Sequence, residues 1–177
     1  MSAPYSKILT TSLSMRALTT LSILILSLTI CKAQSDFVVL DNQNTVNELI
    51  TRFKILPASA TTASLSATEL GEVKQLLTKC ITDYNDQVSA DFKRRGEKKK
   101  YAEMYQIRSL SKYKVQFVPF INEKGEKEVW INGFCSDFTT DWKTEIVHVL
   151  DGGNCYFTVR LNMSNNKCVA VGTNGHA

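Results

Sequence analysis

The sequence predicts an α+β domain, one long helix at its N-terminal end packed on a four- to five-stranded antiparallel sheet. Two observations carry this. Leu70, Val73, Leu77, Cys80, Ile81, Tyr84 and Val88 recur at intervals of three and four, which puts them on one stripe of a helix. From about Tyr101 onward the apolar period drops to two, with turn chemistry between the runs. A helix followed by successive strands argues for a sheet covered by that helix on one face.

The elements follow in order. Residues 18–30, LTTLSILILSLTI, form an apolar run behind Lys7 and Arg16, with no acidic residue before Asp36. That is the pattern of a secretory signal, and 13 residues fall short of the roughly 20 that span a bilayer. Cys31 and Ala33 place the expected cleavage after Ala33, and Met15 is an alternative start. Lipidation at Cys31 is the competing reading, disfavoured by the bulky Ile30 before it. Without residues 1–33 the 21 basic residues fall to 18, against 17 acidic ones. A near-neutral chain gives no general reason to bind nucleic acid.

Residues 37–40 read as a short strand or extended lead-in, and 45–54 as a short amphipathic helix that Pro57 stops. Residues 58–67 are mostly Ala, Ser and Thr and read as a linker with no packed core. The expected domains are therefore 1–33 signal, 34–67 lead-in and linker, and 68–177 the α+β domain. Ser66 and Glu69 fit a capping box at the start of the long helix, which should end near 93–96. Residues 113–121 and 127–135 form a hairpin about the turn 122–125. A loop follows at 136–144, then strands at 146–150, 155–163 and 168–171.

Alternation assigns faces. Cys155, Phe157, Val159, Leu161 and Met163 lie on one side of their strand and are expected to face the helix, as are Val129, Ile131 and Cys135. Trp130, Phe134, Tyr156 and Arg160 then share the opposite face. Aromatics and arginine supply contact area at modest entropic cost, so these four are the expected binding residues. The partner, a protein or a small molecule, is not specified.

A secreted chain keeps cysteines oxidised, so Cys80, Cys135, Cys155 and Cys168 are disulfide candidates. Cys135 with Cys155 is favoured. Cys80 with either of those would staple helix to sheet, and Cys168 is left to Cys80 or unpaired. The enzymatic alternative is a hydrolase with Cys135 as nucleophile, His148 as base and Asp137 or Asp151 as orienter. His148 sits in the apolar run 146–150 and reads more simply as a half-buried side chain. No catalytic residue, cofactor or metal site is expected, since the chain has only two histidines and no spaced acidic ligands. The basic residues at 93–95 and 98–100 read as a solvated helix exit, with an anionic partner as the alternative. Asp137 and Asp141 read as solvent-facing, and 162–164 is a glycosylation sequon of use only in a eukaryotic secretory pathway.

Two segments, INEKGEKEVWINGFC at 121–135 and DGGNCYFTVRLNM at 151–163, with the ending VGTNGHA, resemble small secreted bacterial proteins of no assigned activity. The order of helix, long strand and hairpins is also similar to that of the cystatins, which inhibit cysteine proteases through a first-hairpin loop of Gln-x-Val-x-Gly type. That loop corresponds to 122–126 here, which is charged and lacks the apolar wedge. The resemblance implies a cystatin-like topology. As an alternative to a secreted, non-enzymatic binding module, it implies an inhibitor acting through loops 122–126 and 151–154.

Overall fold

The computed structural model describes residues 37–136 and 141–175; the expected signal segment, Cys31, Asp137 and His176 lie outside them. The architecture is α+β, with a mixed sheet. The elements are β1 (Phe37–Val39), α1 (Gln43–Thr51), β2 (Thr61–Thr62), α2 (Ala67–Arg94), α3 (Lys99–Glu103), β3 (Lys114–Ile121), β4 (Lys127–Phe134), β5 (Tyr156–Asn162) and β6 (Lys167–Thr173).

The long helix forms as its sequence predicts. The Ser66 side chain accepts from Glu69 N–H and the Glu69 carboxylate accepts from Ser66 N–H, so both partners of the capping box are present. Val73, Leu77, Cys80 and Ile81 are its buried residues. Gly96 leaves the helix at φ 71°, a left-handed conformation that glycine adopts without strain. Yet α2 is not the N-terminal element. β1, α1 and β2 precede it, and two of them belong to the sheet.

The strand order is β1-β3-β4-β5-β6, with β2 also paired to β3. β3 to β6 run antiparallel to their neighbours, while β1 lies parallel to β3, so the expected all-antiparallel sheet is mixed. The segment read as a linker is part of the structure: Ala60 is buried, and Thr61 and Thr62 pair with Ile121 and Phe120. α1 runs over 43–51 because Asn42 caps it, accepting from the Thr45 N–H and hydroxyl.

Two apolar layers enclose the sheet. On one face, Val115, Phe117, Val129, Ile131, Phe157, Val159 and Leu161 pack under α2, as the alternation predicts. On the other, Val118, Phe120 and Trp130 pack under Leu40, Val46, Leu49, Leu56 and Ala60 of the lead-in. The sheet is therefore the middle of three layers. A strand buried on both faces reads as a continuous apolar run, and β3, Lys-Val-Gln-Phe-Val-Pro-Phe-Ile, is nearly one.

The strand expected at 146–150 does not form. Residues 142–147 cross the outer face beside the sheet, and two buried amides bind their backbone. Gln116 Nε2 donates to the Trp142 and Glu145 carbonyls, both at 2.6 Å, and Gln116 Oε1 accepts from Val147 N–H at 3.2 Å. Asn132 Nδ2 donates to Gln116 Oε1 and to the Val147 carbonyl, at 3.0 and 2.7 Å. These side chains satisfy backbone groups that a sheet ladder would otherwise have to pair.

The four cysteines form two disulfides, Cys135–Cys155 and Cys80–Cys168. Cys80–Cys168 staples α2 to β6. Cys135–Cys155 closes the base of the loop between β4 and β5. Neither cysteine of that second pair faces the core as the alternation implied: Cys135 is exposed and Cys155 half-buried, because both lie just beyond the strand ends. Among the described residues no helix is long and apolar enough to cross a membrane.

Candidate interaction site

Of the four residues expected to form the binding face, two are buried. Trp130 keeps 4% of its surface and Phe134 none. Trp130 lies under the lead-in layer, and Phe134 meets Trp142 edge to face, with ring centroids 5.9 Å apart. Their outward direction was read correctly, but α1 and the 142–147 segment occupy the space beyond them. Tyr156 is half-buried, its hydroxyl donating to Ser136 Oγ at 3.0 Å. Arg160 sits over the Phe120 ring at 5.5 Å and pairs through Nε with Glu128. These residues stabilise the outer layer and do not form an open contact surface.

Arg160 does line a polar cleft of about 610 Å³ with Lys54, Glu126, Glu128, Asn122 and Asn162. Its groups are occupied with one another. Glu128, 3% exposed, takes Arg160 on one oxygen and Asn122 Nδ2 on the other, the latter at 2.7 Å. Asn122 and Asn162 also donate to Glu126, at 3.0 and 2.9 Å, and hold its carboxyl below the usual range. Asn162, the sequon residue, is buried in this network, so the folded chain does not present it for modification.

The open apolar surface is elsewhere. Of the five large apolar side chains exposed among the described residues, Tyr101, Met104 and Tyr105, at 43%, 43% and 38%, line one cleft of about 680 Å³. It lies between the C-terminal end of α2 and the short α3, and Tyr84, Phe92 and Arg95 also line it. Phe92 and Tyr105 are 5.5 Å apart between centroids, Arg95 stacks over Phe92 at 4.4 Å, and Lys100 lies 5.1 Å from the centre of Tyr101. Residues 91–103 hold six basic and three acidic side chains, but the two arginines that line the cleft are paired, Arg94 with Asp91 and Arg95 with Glu97 at 3.0 Å, so the excess positive charge lies on the lysines around it.

Two side-chain amides, half-buried Asn85 and buried Asn154, also hold this cleft in place. Asn85 on α2 grips the backbone of Ile107, donating to its carbonyl at 2.8 Å and accepting its N–H at 2.9 Å. Asn154 donates to the carbonyls of Glu103 and Gln106 from the far side, at 3.0 and 2.8 Å. The Tyr113 hydroxyl donates to the Asn154 carbonyl at 2.6 Å, and burial pushes its pKa up, which keeps it a donor. The sequence predicts period-two alternation from about Tyr101 onward, whereas the structure places a short helix at Lys99–Glu103. The spacing of Tyr101, Met104 and Tyr105, at i, i+3 and i+4, is a helical signal that would have found the cleft.

The structure also places the residues named for the two alternatives. The Cys135 sulfur is in a disulfide and is not a nucleophile, and His148 is exposed with its ring on Phe53, centroids 4.4 Å apart. The half-buried histidine expected there is therefore at the surface, since Val147 is the residue of that run that points inward. Asp141 and Asp151 are both exposed. The loops 122–126 and 151–154 flank opposite ends of β4, because Lys127 follows the first while Phe134 pairs with Tyr156 just after the second. Eight strand residues separate them by about 25 Å. No family model, no curated protein and no solved structure matches this chain.

Proposed function

We propose that this protein is a secreted, non-enzymatic interaction module that engages its partner through the cleft between α2 and α3. One observation carries the reading: three of the five large apolar side chains exposed among the described residues gather in a single cleft, within a segment, 91–103, that holds three more basic than acidic side chains. Aromatic, methionine and arginine side chains dominate the energetic centres of protein interfaces. The partner that fits is an acidic peptide segment carrying an aromatic or aliphatic anchor. Secretion is supported by the apolar run at 18–30 and by the two disulfides. A cystatin-like arrangement is supported by the long α2 followed by β3 to β6 in sequential antiparallel order.

Selecting a random peptide library on the protein tests the proposal. Enriched peptides should pair acidic residues with an apolar anchor and bind more weakly as salt rises. They should lose at least tenfold in affinity for Tyr101→Ser and Arg95→Ser. Peptides without acidic bias, or binding indifferent to both substitutions, would refute it.

A further inference from the structure

The two margins of the sheet are treated differently. Beyond β3, the outer margin is covered by short pieces: β1 pairs Val115, Gln116 and Phe117, and β2 pairs Phe120 and Ile121. Leu40 N–H and Ala63 N–H add bonds to the Phe117 and Pro119 carbonyls. Very short strands of this kind blunt an edge. The other margin is β6, seven residues long and, among the described residues, paired only with β5. It has no proline and no acidic residue, and Lys167 at its start is its one charge.

The outward backbone groups of β6 can be identified. Asn174 N–H donates to the Tyr156 carbonyl, so Gly172 and Ala170, at alternate positions, also point toward β5. Val171 and Thr173 therefore aim their N–H and C=O groups away from the sheet. The strand is firmly held. Cys168 is bonded to Cys80, Asn174 Nδ2 donates to the Asp151 carbonyl at 3.1 Å, and the Gly175 carbonyl accepts from Gly153 N–H at 3.0 Å. Ordering this edge for a partner costs little further entropy.

We infer that β6 pairs antiparallel with β6 of a second copy of this chain, joining two sheets into one across a two-fold axis at Val171. The edge is complementary to itself there. Val171 faces Val171 and exchanges two backbone hydrogen bonds, Thr173 faces Val169, and Lys167 faces Gly175, so no like charges are opposed. Each chain has one long open margin among the described residues, so the contact closes at two copies and does not propagate. This surface is separate from the α2–α3 cleft and does not depend on its role.

Sedimentation equilibrium of the full chain, from low micromolar to millimolar concentration, tests the inference together with amide exchange. The mass should rise from one chain to two and stop. Exchange at the Val171 and Thr173 amides should slow several-fold over the same range, while that at Ala170 and Gly172 stays slow throughout. Val171→Pro deletes an outward N–H without removing a bond to β5, and should give a folded monomer by circular dichroism. If that variant does not fold, the wild-type exchange pattern decides. A constant monomer mass, assemblies larger than two, or a dimer whose Val171 and Thr173 amides still exchange fast would each overturn the inference.

Discussion

Removing the two disulfides separately should reveal unequal contributions, set by the lengths of chain they close. Cross-linking removes loop entropy from the unfolded state in proportion to the logarithm of the span. Cys80–Cys168 closes 88 residues, which corresponds to about 4.6 kcal/mol, and Cys135–Cys155 closes 20, about 3.3 kcal/mol. The short span is nested in the long one. With the inner bridge intact, the outer contour shortens to about 69 residues and its contribution falls only to about 4.4 kcal/mol. Cys80 is also buried among Val73, Leu77 and Ile81, so losing its sulfur adds to the outer cost. The comparison is Cys80→Ala with Cys168→Ala against Cys135→Ala with Cys155→Ala. Urea unfolding followed by the fluorescence of buried Trp130 gives both stabilities. The outer pair should cost about 1 kcal/mol more and raise the denaturant slope more, because the unfolded chain it releases is larger. A greater loss on removing the inner pair would refute loop closure as the main origin of the effect. It would assign the inner bridge's value to native geometry around the 142–147 segment.

Gly133→Ala should destabilise by about 3 kcal/mol, the upper end for overpacking, because a Cβ there falls within the ring of Phe157; thermal melts will show it, and a shift near zero would mean that ring is free to move. Glu128→Ala strands Arg160 and two amides and should cost about 3 kcal/mol by urea unfolding, the low end for a broken ion pair because Arg160 keeps 30% exposure. Lys127 and the Ser66 N–H lower the Glu69 pKa from 4.5 to about 2, so its stabilising effect is full above about pH 5 and fades as pH falls through about 2. Glu69→Gln should therefore lower the melting temperature at neutral pH and match the wild type near pH 2. A gap that persists at the lowest pH would refute the assignment.

The helix–sheet half of the domain was legible because its signals are local. The capping box at Ser66 and Glu69, the stripe from Leu70 to Val88 and the alternation in β4 and β5 each lie within one element. The favoured Cys135–Cys155 pair does form, but because adjacent β4 and β5 bring their ends together and not because both cysteines face the core. The binding face was misjudged for a reason of the same kind. Alternation tells which way Trp130 and Phe134 point, but not what lies beyond them. The cover comes from α1, some 80 residues earlier, and from a segment held by Gln116 and Asn132.

By itself, then, the sequence determines the long helix, the four antiparallel strands and the face each apolar residue takes within a strand. Those are consequences of backbone periodicity and of end groups that must be satisfied within a few residues. The tertiary structure decides the rest: that the lead-in joins the sheet in parallel, that the outer face is closed, and that the exposed apolar side chains collect at the α2–α3 cleft. Each of these depends on contacts between segments distant in sequence. There, buried amides such as Gln116 and Asn154 stand in for ladder partners, and no local pattern records which carbonyl they will meet.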